Sequence, residues 1–208
     1  MIINFLTSCM DGISYFGYYL IVINIIGFIL FVVNTWLYTE TPEGQIDKFL
    51  TIICLLGGSV GILLAILIFD RKARKGNMMS RVFIACVFVI QIVIFLIIRG
   101  HIADNITVNF WDFFYSHKIL IFYLVVINVI TFVAFALDKI AAIKDRSRIR
   151  IVTLLGLAFI GGSLGALLGM YLLHHKTRVD YFTVGVPLII VMQVVVIFYV
   201  MNASWIRT

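Results

Sequence analysis

The sequence predicts an all-α, polytopic membrane protein whose six transmembrane helices form two inverted three-helix repeats. Three observations lead there. Of 208 residues, 63% are hydrophobic and 12% charged, whereas ordinary globular chains carry about 25% charged residues. The apolar residues gather into long uncharged runs. Shifted by half its length, the chain also overlays itself.

The runs lie at approximately 14–36, 50–69, 81–99, 119–137, 152–173 and 184–203. Each approaches the ~20 residues that cross ~30 Å of hydrocarbon. Lipid admits only helices or closed barrels, and the alternating ten-residue segments of a barrel are absent. Ahead of the first run stands Asp11 rather than a basic cluster, so the run reads as a span and not a signal peptide. The segments NFLTSCMDG and NFWDFFYSHK read as short interfacial helices, the second carrying Trp111, Phe113, Phe114 and Tyr115. Cys9, Cys54 and Cys86 have no C-x-x-C spacing and act as small apolar residues. The net charge of +6 sits at helix ends, which points to anionic headgroups and away from nucleic acid.

At an offset of 104, Tyr19, Leu20, Val22, Ile23 and Asn24 meet Tyr123, Leu124, Val126, Ile127 and Asn128. Gly57, Gly58, Ser59 and Gly61 meet Gly161, Gly162, Ser163 and Gly165, while Lys72 and Arg74 meet Lys176 and Arg178. After a two-residue gap, Gln91 meets Gln193. Compositional resemblance explains the Leu and Ile matches but not Asn, Gly-Gly-Ser-x-Gly and Lys-x-Arg in one register. The repeats are 1–104 and 105–208. Three spans per repeat is an odd number, so the second copy is expected upside down unless one run fails to span. With six spans, eleven basic residues fall on the face shared by the termini and five (Lys48, Arg99, Lys118, Lys176, Arg178) on the other. The positive-inside rule then makes both termini cytoplasmic.

Gly57 and Gly61 form G-x-x-x-G, as do Gly161 with Gly165 and Gly165 with Gly169. Residues four apart share a helix face, and small residues let backbones approach closely in lipid. These glycines, with Gly58 and Gly162, are expected to pack helices, helix two crossing helix five. A homodimer face is one alternative, and a glycine-broken helix facing a cavity is another.

Neutral polar residues lie in matched pairs near mid-depth: Asn24 and Asn128, Ser59 and Ser163, Gln91 and Gln193. They are either a substrate or pore site, or glue between helices. A proton-coupled carrier usually needs a mid-depth carboxylate, and none is present. Lys72, Arg74, Lys176 and Arg178 are candidates for lipid headgroups. Adjacent His174 and His175 face different ways and make a poor metal pair, so no metal or cofactor is expected.

Residues 135–201 resemble the bacterial membrane family called domain of unknown function 1294. The resemblance rests on ALDKIAAIKDRSRIR, LLGLAFIGGSLGALLGMYLLHHKTR, a Gly-x-Pro start to the last helix and Gln193. In the first repeat GGSVG, the Lys-x-Arg of DRKAR and Gln91 remain, while Asn34–Thr35 replaces the Asp-Lys pair. The resemblance implies a fused, diverged tandem of that domain in a bacterial inner membrane, and no activity.

Three functional readings stand. The leading one is a channel or transporter for a small ion or polar solute, with its site between inverted repeats. The second is a scaffold or accessory subunit, bound to itself or to a partner membrane protein. The third is a protein that binds or scrambles membrane lipids. No nucleophile–base constellation is visible, so catalysis is not expected.

Overall fold

The computed structural model describes residues 15–40, 47–70, 77–103 and 105–204. Its regular elements among these residues are helical, apart from one isolated bridge between Ile102 and Ala203. Six helical stretches have the length and composition of membrane-crossing segments. The chain packs as two compact units, Met1–Lys72 and Ala73–Thr208. Packing therefore divides it before the third apolar run, whereas the sequence offset divides it at 104.

In the first unit, α1 (Tyr15–Glu40) is a continuous 26-residue helix, about 39 Å at 1.5 Å per residue. The second apolar run is not continuous. It comprises α2 (Asp47–Ile53), a widened turn (Cys54–Gly58) and α3 (Ser59–Phe69). At Gly57 φ is +114°, a left-handed conformation that ends a helix and is natural only to glycine. Ile53 and Ile62, one on each side of this turn, both flank Gly27. The chain thus descends beside α1, reverses at Gly57 and climbs back.

The second unit repeats the device. α4 (Met78–Ile98) leads through the short α5 (Phe110–Ser116) to α6 (Lys118–Ile143). Next come α7 (Ile151–Leu157), a turn (Ala158–Gly162) and α8 (Ser163–Leu172), then the four-residue α9 (Asp180–Thr183) and α10 (Gly185–Asn202). Gly161 has φ +129°. Residues on both ends of this run meet one side chain near the top of α6: Ile149 N–H donates to Asp138 Oδ1 (3.0 Å), and Lys176 Nζ lies 2.8 Å from Asp138 Oδ2. Meanwhile the turn itself sits near the foot of α6, where the Tyr123 hydroxyl donates to the Ile160 carbonyl (2.5 Å). A straight helix over 151–172 would separate its ends by about 30 Å. The run is instead a helical hairpin, each arm about 15 Å long, half the depth of a hydrocarbon core.

This geometry bears on the expectation of three spans per repeat and on the inverted arrangement drawn from it. The sequence condition for inversion was an odd number of crossings. A hairpin that returns to its own side removes one. Helix direction agrees. A β-carbon at Gly185, the start of α10, would lie 3.4 Å from Val82 near the start of α4. At their far ends Val93 clusters with Tyr199 and Ala203, and Ala103 N–H donates to the Asn202 carbonyl (2.8 Å). α4 and α10, the third helices of the two sequence copies, run parallel.

The second unit's core joins Phe135 of α6, Leu154 of α7, Met170 of α8, Phe182 of α9, Ile189 of α10 and Cys86 of α4. The outward faces of α1 and α6 carry Ile25, Ile29, Phe122, Val125 and Val129, all exposed and suited to lipid.

Candidate functional site

Reversing a helix frees backbone groups that apolar surroundings cannot satisfy. In each hairpin one asparagine answers them. Asn24 Nδ2 donates to the carbonyls of Leu20 (2.7 Å) and Gly57 (3.0 Å), while Gly61 N–H donates to Asn24 Oδ1 (2.8 Å). Asn128 does the same with Leu124 (2.7 Å), Gly161 (2.9 Å) and Gly165 N–H (2.6 Å). Tyr19 donates to the Leu56 carbonyl as Tyr123 does to Ile160. Every partner is offset by 104.

The glycines let these bonds form. A β-carbon at Gly61 would collide with the Asn24 carbonyl, and one at Gly165 with the Asn128 carbonyl. Gly162 lies against Thr131, Gly169 against Phe135, and Gly58 against Ile53 and the Ile23 carbonyl. These glycines therefore pack within their own unit. Each small-residue stripe is filled by the long helix that precedes its own hairpin. The helix does break at Gly57 and Gly161, with backbone groups freed there bonded to Asn24 and Asn128.

The second hairpin gains further partners from α10. Gln193 Nε2 donates to the carbonyls of Ala158 (2.7 Å) and Phe159 (3.0 Å), and the Ser163 hydroxyl donates to Gln193 Oε1. Asn128, Ser163 and Gln193 thus converge on one turn, where their bonds serve the broken backbone. Ser59 is buried and Gln91 half-buried, and each has a bonding partner.

At the hairpin's mouth lies a charged cluster. Asp138 is fully buried. Its Oδ2 accepts from Lys176 Nζ (2.8 Å) and pairs with His175 Nε2 (2.8 Å), with Arg148 at 4.0 Å. Lys139 Nζ donates to the Leu173 carbonyl (2.7 Å), one of the carbonyls left open at the end of α8. Lys176 also sits 4.7 Å above the Phe182 ring. Lys176 therefore serves the protein's own carboxylate first, and Arg178 is exposed. Lys72 and Arg74 lie outside the described residues, as does the segment NFLTSCMDG. Among the described residues no three His, Cys, Asp or Glu side chains gather as a metal site would require.

Sequence reasoning missed the two tyrosine hydroxyls, although Tyr19 and Tyr123 overlay at the 104 offset. It also missed Asp138 as a buried anchor. The residue sits 37 or 38 positions from His175 and Lys176, and only the hairpin brings them together.

A model for the family described as protein of unknown function DUF1294 matches residues 128–182. The uncharacterized protein YsdA of Bacillus subtilis (strain 168) is 39% identical over 75 residues, 36% of this chain and 84% of that protein. The chain belongs to the DUF1294 family. The DUF1294 match begins at Asn128 and ends at Phe182, so it contains Asn128, the hairpin and the Asp138 cluster, while Tyr123, Leu124 and Gln193 lie outside it. No solved structure matches the chain.

Proposed function

We propose that this is a bacterial cytoplasmic-membrane protein that engages phospholipid, built by tandem duplication of one DUF1294 module. Each module has two crossing helices and one re-entrant hairpin. The length of YsdA supports the duplication, since a 75-residue match already covers 84% of it. In this reading four crossings and two returning hairpins would leave both termini on one side of the bilayer and the hairpin mouths on the other. Of the sixteen Lys and Arg residues, only Arg99, Lys118 and Arg207 then fall on the terminal face. This separation is sharper than the eleven-to-five split of a six-span chain. It makes the mouths cytoplasmic and moves the termini outside, the reverse of the six-span expectation.

The observation that carries the lipid reading is where polarity resides. At half depth Asn24, Asn128, Ser163 and Gln193 bond to the hairpin turns, which fits glue better than a lined pore. At the mouths, basic residues crowd the level of anionic headgroups. The reading requires no catalytic group, metal or cofactor, and membrane lipids are the partners it requires. Broken helices also occur in transporters, so the test must separate the two. Native mass spectrometry from mild detergent should find an anionic phospholipid retained with the protein, and proteoliposomes should pass neither small ions nor small polar solutes. Selective solute flux without retained lipid would refute the reading and restore transport.

A further inference from the structure

Beside the Asp138 cluster the second unit holds a cavity of about 460 Å³. Its polar wall is made by Arg148, Arg150, Lys176 and Tyr181, and its apolar wall includes Met78 and Val179. We propose that this cavity is a binding site for a phosphate group, held by Arg148 and Arg150 with Lys176 beneath. The proposal rests on the lipid reading only for the source of that phosphate.

Charge comes first. Asp138 pairs with Lys176 at 2.8 Å and lies 4.0 Å from Arg148, and both of these line the cavity together with Arg150. Lys176 is committed to Asp138 at 2.8 Å. Arg148 reaches the same carboxylate only at 4.0 Å, its side chain 55% exposed, and Arg150 is exposed at the rim. The formal balance leaves about two positive charges over, enough to neutralise a phosphate monoester and more than the single charge of a diester. Guanidinium groups bind such oxygens through paired hydrogen bonds, and a lysine contributes as a point charge.

Position comes second. Arg148 and Arg150 precede α7, and Lys176 follows α8, so the hairpin brings together residues about 27 positions apart in sequence. The anchor is rigid: Asp138 holds both strands of the mouth through Ile149 N–H and Lys176. The apolar wall beside the charges suits a headgroup with the start of its glycerol ester, while the charges alone would suit free phosphate. Basic pockets between helices at the cytoplasmic face are where anionic headgroups bind.

The test uses the full chain in nanodiscs, comparing wild type with Arg148→Gln/Arg150→Gln. Both side chains are exposed, so the variant should fold, and its thermal midpoint in phosphatidylcholine nanodiscs checks that it does. Wild type should prefer phosphatidylglycerol over phosphatidylcholine by native mass spectrometry, and the variant should lose about tenfold of that preference, the worth of one such contact. In a second arm, inorganic phosphate is added to phosphatidylcholine nanodiscs at constant ionic strength. Stabilisation of wild type but not the variant by inorganic phosphate, with no phosphatidylglycerol preference, would support the site and overturn the lipid source. Equal phosphatidylglycerol preference in both proteins would overturn the site and leave the lipid reading standing. Response to neither probe would overturn both.

Discussion

Replacing Asn128 by alanine tests the clamp. The side chain makes three bonds, to the carbonyls of Leu124 and Gly161 and from the N–H of Gly165. Leu124 is four residues back on the same helix, and its carbonyl keeps the helical bond from the Asn128 amide, so losing the side-chain donor there costs little. Gly161 and Gly165 differ. They stand at the reversal, and after substitution the carbonyl and the N–H face apolar side chains or lipid. Leaving one such group unsatisfied costs about 1–3 kcal/mol. Hydrogen bonds between membrane helices measured by double-mutant cycles average nearer 0.6 kcal/mol. Weighting the two figures, Asn128→Ala should cost about 2–4 kcal/mol, and Asn24→Ala about as much, because its three bonds are the same. Asn128→Asp keeps an acceptor for Gly165 N–H but loses the donor to Gly161, and should be no milder than alanine. Equilibrium unfolding by titration with a denaturing detergent measures these differences. A change below about 0.5 kcal/mol in both alanine variants would mean that water or lipid headgroups satisfy the turn, and the clamp argument would fail.

Two further substitutions follow from the same geometry. Gly165→Ala places a β-carbon in collision with the Asn128 carbonyl, whereas Gly156→Ala meets nothing within 4 Å. The first should lower the thermal midpoint strongly, and the second should be neutral or raise it, since alanine favours helix over glycine by about 1 kcal/mol. Equal effects would refute the packing. Asp138→Ala leaves Lys176, whose side chain is 9% exposed, without its counter-ion, at a cost of about 3–5 kcal/mol. Asp138→Asn retains an acceptor for Ile149 N–H and should cost less. The same unfolding titration ranks the two, and the reverse order would contradict the anchoring role.

Class and position were legible in the sequence, and path was not. Composition and six apolar runs gave the helical membrane class, and the 104-residue offset paired the residues that form the two clamps. Hydropathy cannot distinguish a 22-residue span from two half-length arms, because both are apolar throughout. The distinguishing signal was Gly57–Gly58 and Gly161–Gly162. Glycine pairs serve both close packing and left-handed turns, and sequence reading favoured packing. Once 152–173 is taken to cross, an odd count follows and inversion with it. Asp138 shows the same limit from the other side. Its partners lie far along the chain, so as a sequence feature it closes a helix, while in the fold it ties the hairpin's mouth.

The returning hairpin is most directly tested by labelling. In a background with Cys9, Cys54 and Cys86 replaced by alanine, Ser147→Cys and Arg178→Cys flank the hairpin at exposed positions. A membrane-impermeant maleimide applied to oriented vesicles should reach both cysteines from one side, the cytoplasmic one. Labelling of the two from opposite sides would make 151–172 a crossing helix and contradict the account.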